Sequence, residues 1–284
     1  MAQPLLFTPI TIRGVTMKNR IVVAPMHQYA AVKGFATDWH LMNAGRFAAG
    51  GAGLVIMEST KVERRGCGTV GDLGLWDDKF IPGLKRITDF IRAHNAVPAI
   101  QIGHSGRKAR RFRPWEGGAP LKNSPDIWDW QGWELVSSSA INSPETDPTP
   151  RALTRAEIPE VIERWGQGAR RAHEAGFEVL DLHMAHGYLL ASFLSPFTNR
   201  RSDRYGGSLQ NRMRFPLEVF EAVRAVWPKS RPMSVRISAT DWIEGGQTAA
   251  DSVAVARALK AAGCDLMDVS TGQTDPSSRP VYGR

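Results

Sequence analysis

One joint between helix and strand recurs along this chain and limits the folds open to it. A glycine closes a helical pattern and an apolar run follows at once: Gly53 before LVIMES, Gly176 before FEVLDLH and Gly263 before CDLMDVS. Glycine at such a point reads as the left-handed residue that ends a helix. Six runs read as strands, at 21–24, 54–58, 98–102, 179–182, 233–237 and 266–269. They are apolar on both faces, which suits parallel strands covered by helices. Between them the clearest helix spans 154–175, where Thr154 and Glu157 have capping-box spacing. Its Ile158, Val161, Ile162, Trp165, Ala169 and Ala172 fall on one face. A second helix near 208–227 opens at Ser208, and Pro216 is expected to kink it or mark its true start. Strands alternating with helices predict an α/β fold with right-handed crossovers.

Composition narrows the functional classes. A chain of 284 residues can bury one barrel or two smaller domains. Lys and Arg number 36 against 28 Asp and Glu, a net charge of +8. The densest basic stretch is Arg107, Lys108, Arg110, Arg111 and Arg113. No nucleic-acid reader motif accompanies it, so the reading is solvated charge or a grip on a phosphorylated cofactor or substrate, with no nucleic-acid partner. Cys67 and Cys264 fit no metal or redox spacing. No apolar run reaches the roughly 18 residues of a membrane span, and the start MAQPLLFTP has no charged-then-apolar leader. A cytoplasmic protein without a membrane partner is expected.

The stretch 179–196, VLDLHMAHGYLLASFLSP, carries the chemistry. An apolar strand runs into His183, His186 and Tyr188, around Gly187. In α/β barrels the reaction site lies at the carboxyl ends of the strands. Two imidazoles can donate hydrogen bonds to an oxygen, and a tyrosine can deliver a proton. Other strand ends would converge with them: His27 and Tyr29 after the first, Glu58, Ser59 and Thr60 after the second, Gln101 and His104 at the third, Arg236 at the fifth. Gln101 offers an amide for the edge of a heterocycle, and Arg236 a charge for an electron-rich ring. Each has a plainer reading: a satisfied core amide, a salt-bridge arginine, packing tyrosines, and for Glu58 a carboxylate buried against Arg236 or a backbone amide. His183 with His186 also has the makings of a metal pair, without a third ligand placed to complete it. The region 104–153 lacks clear periodicity but holds Trp115, Trp128, Trp130 and Trp133, and is read as a lid.

The strings LFTPITIRGVTMKNRIVVAPM, QIGHSGRKA, RPWEGG, AGFEVLDLHMAHGYLLASFLSPFTNRRSDRYGGSLQNRMRF and VRISATDW together resemble the Old Yellow Enzyme family, in its bacterial xenobiotic-reductase-like branch. The resemblance implies a TIM (β/α)8 barrel of which about the first six βα units are present, as one flavin-binding domain over 1–284. It implies FMN as cofactor and NADPH or NADH as reductant. Ala24, Pro25, Met26 and His27 would line the flavin, Ser59 would approach it, Gln101 would bond its pyrimidine edge and Arg236 would lie near N1. His183 and His186 would hold a substrate carbonyl oxygen, Tyr188 would protonate the α-carbon and Tyr29 would help hold the substrate. The implied activity is reduction of the C=C bond of α,β-unsaturated carbonyl compounds. Reduction of an aromatic thioester or nitro compound stands as an alternative, as does a non-catalytic fragment unable to retain FMN. His27 stands where this branch usually carries a cysteine, and a positive imidazole beside the flavin is one expectation for it. Family members continue through two further strands whose loops hold the FMN phosphate, which implies a truncated sequence. They often form homo-oligomers.

Overall fold

The computed structural model describes residues 4–125, 127, 129–142, 147–278 and 280. It begins with an antiparallel hairpin of β1 (Ile10–Ile12) and β2 (Val15–Met17). β3 (Val22–Val23), β4 (Leu54–Lys61) and β5 (Val97–Gly103) follow, separated by α1 (Asp38–Ala49) and α2 (Ile81–Ala93). Within 104–153 two short strands, β6 (Val136–Ser137) and β7 (Arg151–Ala152), pair with each other. α3 (Ile158–Glu174) leads to β8 (Val179–Met184), α4 (Leu189–Leu194) and α5 (Leu209–Val226) lead to β9 (Met233–Ser238), and α6 (Ala249–Ala261) leads to β10 (Leu266–Ser270). One six-stranded sheet runs β3-β4-β5-β8-β9-β10, parallel throughout and in chain order. That is the order of the first six strands of a (β/α)8 barrel. Among the described residues no helix is long and apolar enough to cross a membrane.

All six expected strands form; β4, β5 and β8 are buried along their whole length, while β3 and β10 at the two ends of the sheet are partly exposed. Alternation by two sorts each strand's side chains. Leu180, Leu182 and Met184 of β8 and Met233, Val235 and Ile237 of β9 join the main core, where α3 buries Ile158, Val161, Trp165, Ala169 and Ala172. The opposite set begins with an apolar floor of Leu54, Ile56, Val97, Ala99 and Val179, closed from below by Val15 and Met17 of the hairpin. Above that floor the same faces turn polar. The register sets Gln101 beside Asp181, Asp181 beside Ser234, His183 beside Arg236, and Arg236 beside Asp268.

Three local expectations need correction. Gly176 (φ +89°) and Gly263 (φ +101°) are left-handed, but at the first joint that role falls to Gly51 (φ +101°). Gly53 is required for space, since a Cβ there would lie 2.4 Å from the Asn19 carbonyl oxygen. Pro216 does not mark the start of a helix: it lies inside α5, which Ser208 caps by accepting from the Asn211 N–H at 3.3 Å. The hairpin itself has no counterpart among the six expected strands; its two strands have three residues each, too short for an alternation signal.

Candidate active site

β4 reaches the site through a break in its own alternation. Its register against β5 shifts between Met57 and Thr60, and a bulge re-aims the residues beyond it. Glu58 pairs with His40 Nε2 at 3.1 Å and accepts from the Gln28 N–H at 3.0 Å, so its partner is a backbone amide and an imidazole, not Arg236. Ser59 and Lys61 come together instead, with Lys61 Nζ 3.1 Å from Ser59 Oγ. Ser59 lies close over Gly103, where a Cβ would stand 2.2 Å from its hydroxyl.

The end of β8 is a tight turn. His186 (φ +63°) and Gly187 (φ +70°) are both left-handed, and a Cβ on Gly187 would meet the Thr274 carbonyl oxygen at 2.8 Å. The turn gathers the three rings named by the sequence: His183 and Tyr188 centroids are 4.7 Å apart and those of His183 and His186 5.0 Å. The Ala185 N–H donates to His183 Nδ1 at 3.2 Å, which leaves the proton of the neutral ring on Nε2. That Nε2 lies 3.3 Å from His186 Nδ1, and His186 Nε2 lies 2.6 Å from Ser270 Oγ. Both imidazoles are held neutral. Burial, then the neighbouring His186 and Lys61, push His183 well below the usual range, and burial with Arg236 and Lys108 brings His186 down to about 3. Among the described residues no third His, Cys, Asp or Glu joins the pair in a metal-binding group.

Beyond β3, Ala24 and Met26 are exposed and Pro25 is buried. Tyr29 (φ +54°) stacks on His27 with centroids 5.3 Å apart and meets Trp115 edge-on. Burial, then Asp72 and Glu58, push the Tyr29 phenol up, so it is a donor at neutral pH. His27, Tyr29 and Tyr188 line a cavity of about 580 Å³ whose other wall includes Ser105, Lys108, Arg111 and Phe112. The expectation of a positive His27 is not met: burial, then the Lys61 charge, lower its pKa.

Nor is the basic stretch solvated. Arg107 is wholly buried and pairs with Asp275 at 3.4 Å, Lys108 donates to the Gln273 carbonyl at 2.8 Å, and Arg110 lies over the Trp130 ring. Arg113 donates to the Tyr29 carbonyl at 3.1 Å. These cations hold the wall together. Trp133 is fully buried beside Cys67, whose thiol burial pushes up to about 12, and Trp128 lies outside the described residues.

The residues expected around FMN fit an electron-rich heterocycle. Arg236 Nη1 holds Asp268 and the Pro25 carbonyl only loosely, each at 3.4 Å, and among the described residues its buried Nε has no hydrogen-bond partner. Gln101 Nε2 donates to Asp181 Oδ2 at 2.7 Å, so its carbonyl is the acceptor left for a ring N–H. Asp181 is itself pushed up to about 6 by burial, against hydrogen bonds from Ser234 and Gln101. Arg236, Gln101 and Ser59 would hold the flavin, where bound FMN supplies hydride chemistry. Asp181, Lys61, Asp72 and Ser270 were not legible as site residues: Asp181 and Ser270 are single polar residues in apolar strand runs, Lys61 lies beyond the expected end of its strand, and Asp72 lies in a loop far from it in sequence.

The model of the NADH:flavin oxidoreductase / NADH oxidase family matches residues 5–276. An NADPH dehydrogenase of Geobacillus sp. is 41% identical over 282 residues, covering 99% of this chain and 76% of that protein. A solved 2-naphthoyl-CoA reductase in complex with 2-naphthoyl-CoA superposes with a TM-score of 0.84 at 31% identity, over 96% of this chain. This chain spans 41% of that reductase. An Old Yellow Enzyme homologue of Zymomonas mobilis superposes with a TM-score of 0.80 at 29% identity, over 96% of this chain and 75% of its own.

Proposed function

The chain belongs to the NADH:flavin oxidoreductase / NADH oxidase family, the FMN-dependent Old Yellow Enzyme group of TIM-barrel oxidoreductases, and within it we propose an ene-reductase that acts on α,β-unsaturated carbonyl compounds. One observation carries this reading: the buried His183 ring, with its hydrogen on Nε2, packs against the Tyr188 ring at the end of β8 with centroids 4.7 Å apart. His183 donates to the substrate's carbonyl oxygen and stabilises the enolate charge that develops there, as oxyanion donors do. Tyr188 gives its proton to the α-carbon as general acid. Lys61 and Lys108 bracket its ring at 5.5 and 5.7 Å, and their field stabilises the phenol oxygen as the proton leaves.

His186 supports the same oxygen through a proton rearrangement. As placed, His183 Nε2–H donates to His186 Nδ1, and His186 Nε2–H to Ser270. An arriving oxygen takes over the His183 donor. His186 becomes a second donor when its proton sits on Nδ1, and the Ser270 hydroxyl permits this because it can donate to Nε2 as well as accept. Ser105, Lys108, Arg111 and Phe112, from the stretch after β5, supply one wall of the cavity, and that stretch acts as its lid.

A second reading, reduction of an aromatic thioester, is favoured by the likeness to the 2-naphthoyl-CoA reductase and by Lys108 and Arg111 in the cavity wall. Purified protein loaded with FMN and bleached anaerobically by NADPH separates the two. Recovery of the yellow colour with cyclohexenone supports the ene-reductase. Recovery with an aryl-CoA thioester alone supports the second reading, and recovery with neither overturns both.

A further inference from the structure

At the end of β4 a lysine without solvent exposure is enclosed by acceptors. Lys61 Nζ lies 3.1 Å from His27 Nε2, 3.1 Å from Ser59 Oγ and 3.5 Å from Asp72 Oδ2. An ammonium has three hydrogens and no acceptor site, so these contacts account for all of them. Asp72 is equally engaged: it accepts from the Gly68 N–H at 2.7 Å, the Thr69 N–H at 3.2 Å and the Thr69 hydroxyl at 2.8 Å. Burial pushes the Asp72 carboxyl up, but the Lys61 charge and these bonds outweigh it and hold it below the usual range. The pair joins three segments, the end of β4, the loop 68–72 and the stretch after β3 that carries His27.

The arrangement decides where His27 keeps its proton. A hydrogen on Nε2 would point at the Lys61 ammonium, which has no acceptor to offer, across 3.1 Å, setting two donors against each other. Nε2 therefore presents its lone pair, and the ring's hydrogen sits on Nδ1.

We propose that Lys61, seated on Asp72, is a positioning residue that fixes His27 as the neutral Nδ1–H imidazole, a permanent hydrogen-bond donor on the cavity wall for an acceptor oxygen of the bound ligand. Through its third contact it also occupies the Ser59 oxygen and leaves the Ser59 hydrogen free to donate. The site thus meets a ligand at His27 with a fixed donor, not with an acid that gains and loses a charge. This inference concerns the ring and its neighbours, and holds or fails separately from alkene reduction.

The test is the nitrogen NMR spectrum of FMN-loaded protein labelled with ¹⁵N-histidine at pH 7, with His27 assigned by its loss in His27→Gln. The expected result is one protonated nitrogen, Nδ1, and one bare nitrogen, Nε2. A ring protonated on Nε2, or on both nitrogens, overturns the proposal. The paired change Lys61→Met with Asp72→Asn removes the ammonium without stranding a buried carboxylate. Loss of the single Nδ1–H form is expected in that variant, and an unchanged Nδ1–H form there also overturns the proposal. Should the variant not fold, the wild-type spectrum decides alone.

Discussion

β8 and β10 run parallel in one sheet, one strand apart, and share little else. Every residue of β8 is buried, with β5 and β9 on its flanks. Among the described residues β10 pairs with β9 alone, none of its residues is fully buried, and Val269 is 63% exposed. The chemistry follows the same division. β8 carries Asp181 and His183 into the interior and ends in the turn that holds His186 and Tyr188, whereas β10 contributes the Ser270 hydroxyl that meets His186. The comparison teaches that the rings sit on and just after a strand supported from both sides.

The sharpest way to break this comparison is to remove the acid at the end of β8. Tyr188→Phe is expected to slow C=C reduction by roughly 10²–10⁴-fold, while NADPH still bleaches the flavin in stopped-flow traces. A loss of only a few-fold would place the proton donor elsewhere. Packing should show the same contrast. Leu180→Ala on β8 is expected to cost about 2–5 kcal/mol in urea unfolding, and Val269→Ala on β10 to stay within about 0.5 kcal/mol. Equal losses would mean that the two strands are supported alike.

The interior of β8 should also show in the pH dependence of stability. Asp181 has a folded pKa of about 6, above its ordinary 3.8. Its protonated form therefore favours the fold below pH 3.8, and that contribution is lost as pH rises through 6. A shift of that size corresponds to roughly 3 kcal/mol. Asp181→Asn should flatten this part of the curve between those limits, and an unchanged curve would show that Asp181 titrates normally. A further effect is expected for a ligand. His183→Ala should weaken phenol binding by about tenfold, the loss of one buried hydrogen bond, and unchanged affinity by spectral titration would remove His183 from the oxygen site.

Much of this was legible in the sequence, for reasons that particular residues make plain. The central strands were readable because both of their faces are buried, so Val179 to Leu182 needed no alternation to stand out. His183, His186 and Tyr188 were readable because polar rings directly after such a run have few other purposes. Lys61 was not, because the bulge between Met57 and Thr60 exchanges the faces of β4, and a strand reading that stops at Glu58 never reaches it. Arg107 misled for a related reason. A charged residue in a basic run reads as solvated until the distant Asp275 is brought 3.4 Å from it by the fold. Gly53 was read for its conformation when its actual constraint was a close approach to Asn19, a contact that sequence does not display.

The central claim is that the rings at the end of β8 direct reduction to the C=C bond and deliver the proton there. NADPH-driven turnover of 2-methylcyclohexenone by FMN-loaded protein in D₂O tests it most directly, with the product read by mass spectrometry and NMR. The account predicts saturated ketone carrying deuterium at the α-carbon, trans to a β-hydrogen that came from NADPH, and loss of that stereochemistry in Tyr188→Phe. An allylic alcohol with its C=C bond intact, or α-deuterium scrambled between faces in the unaltered protein, would contradict it.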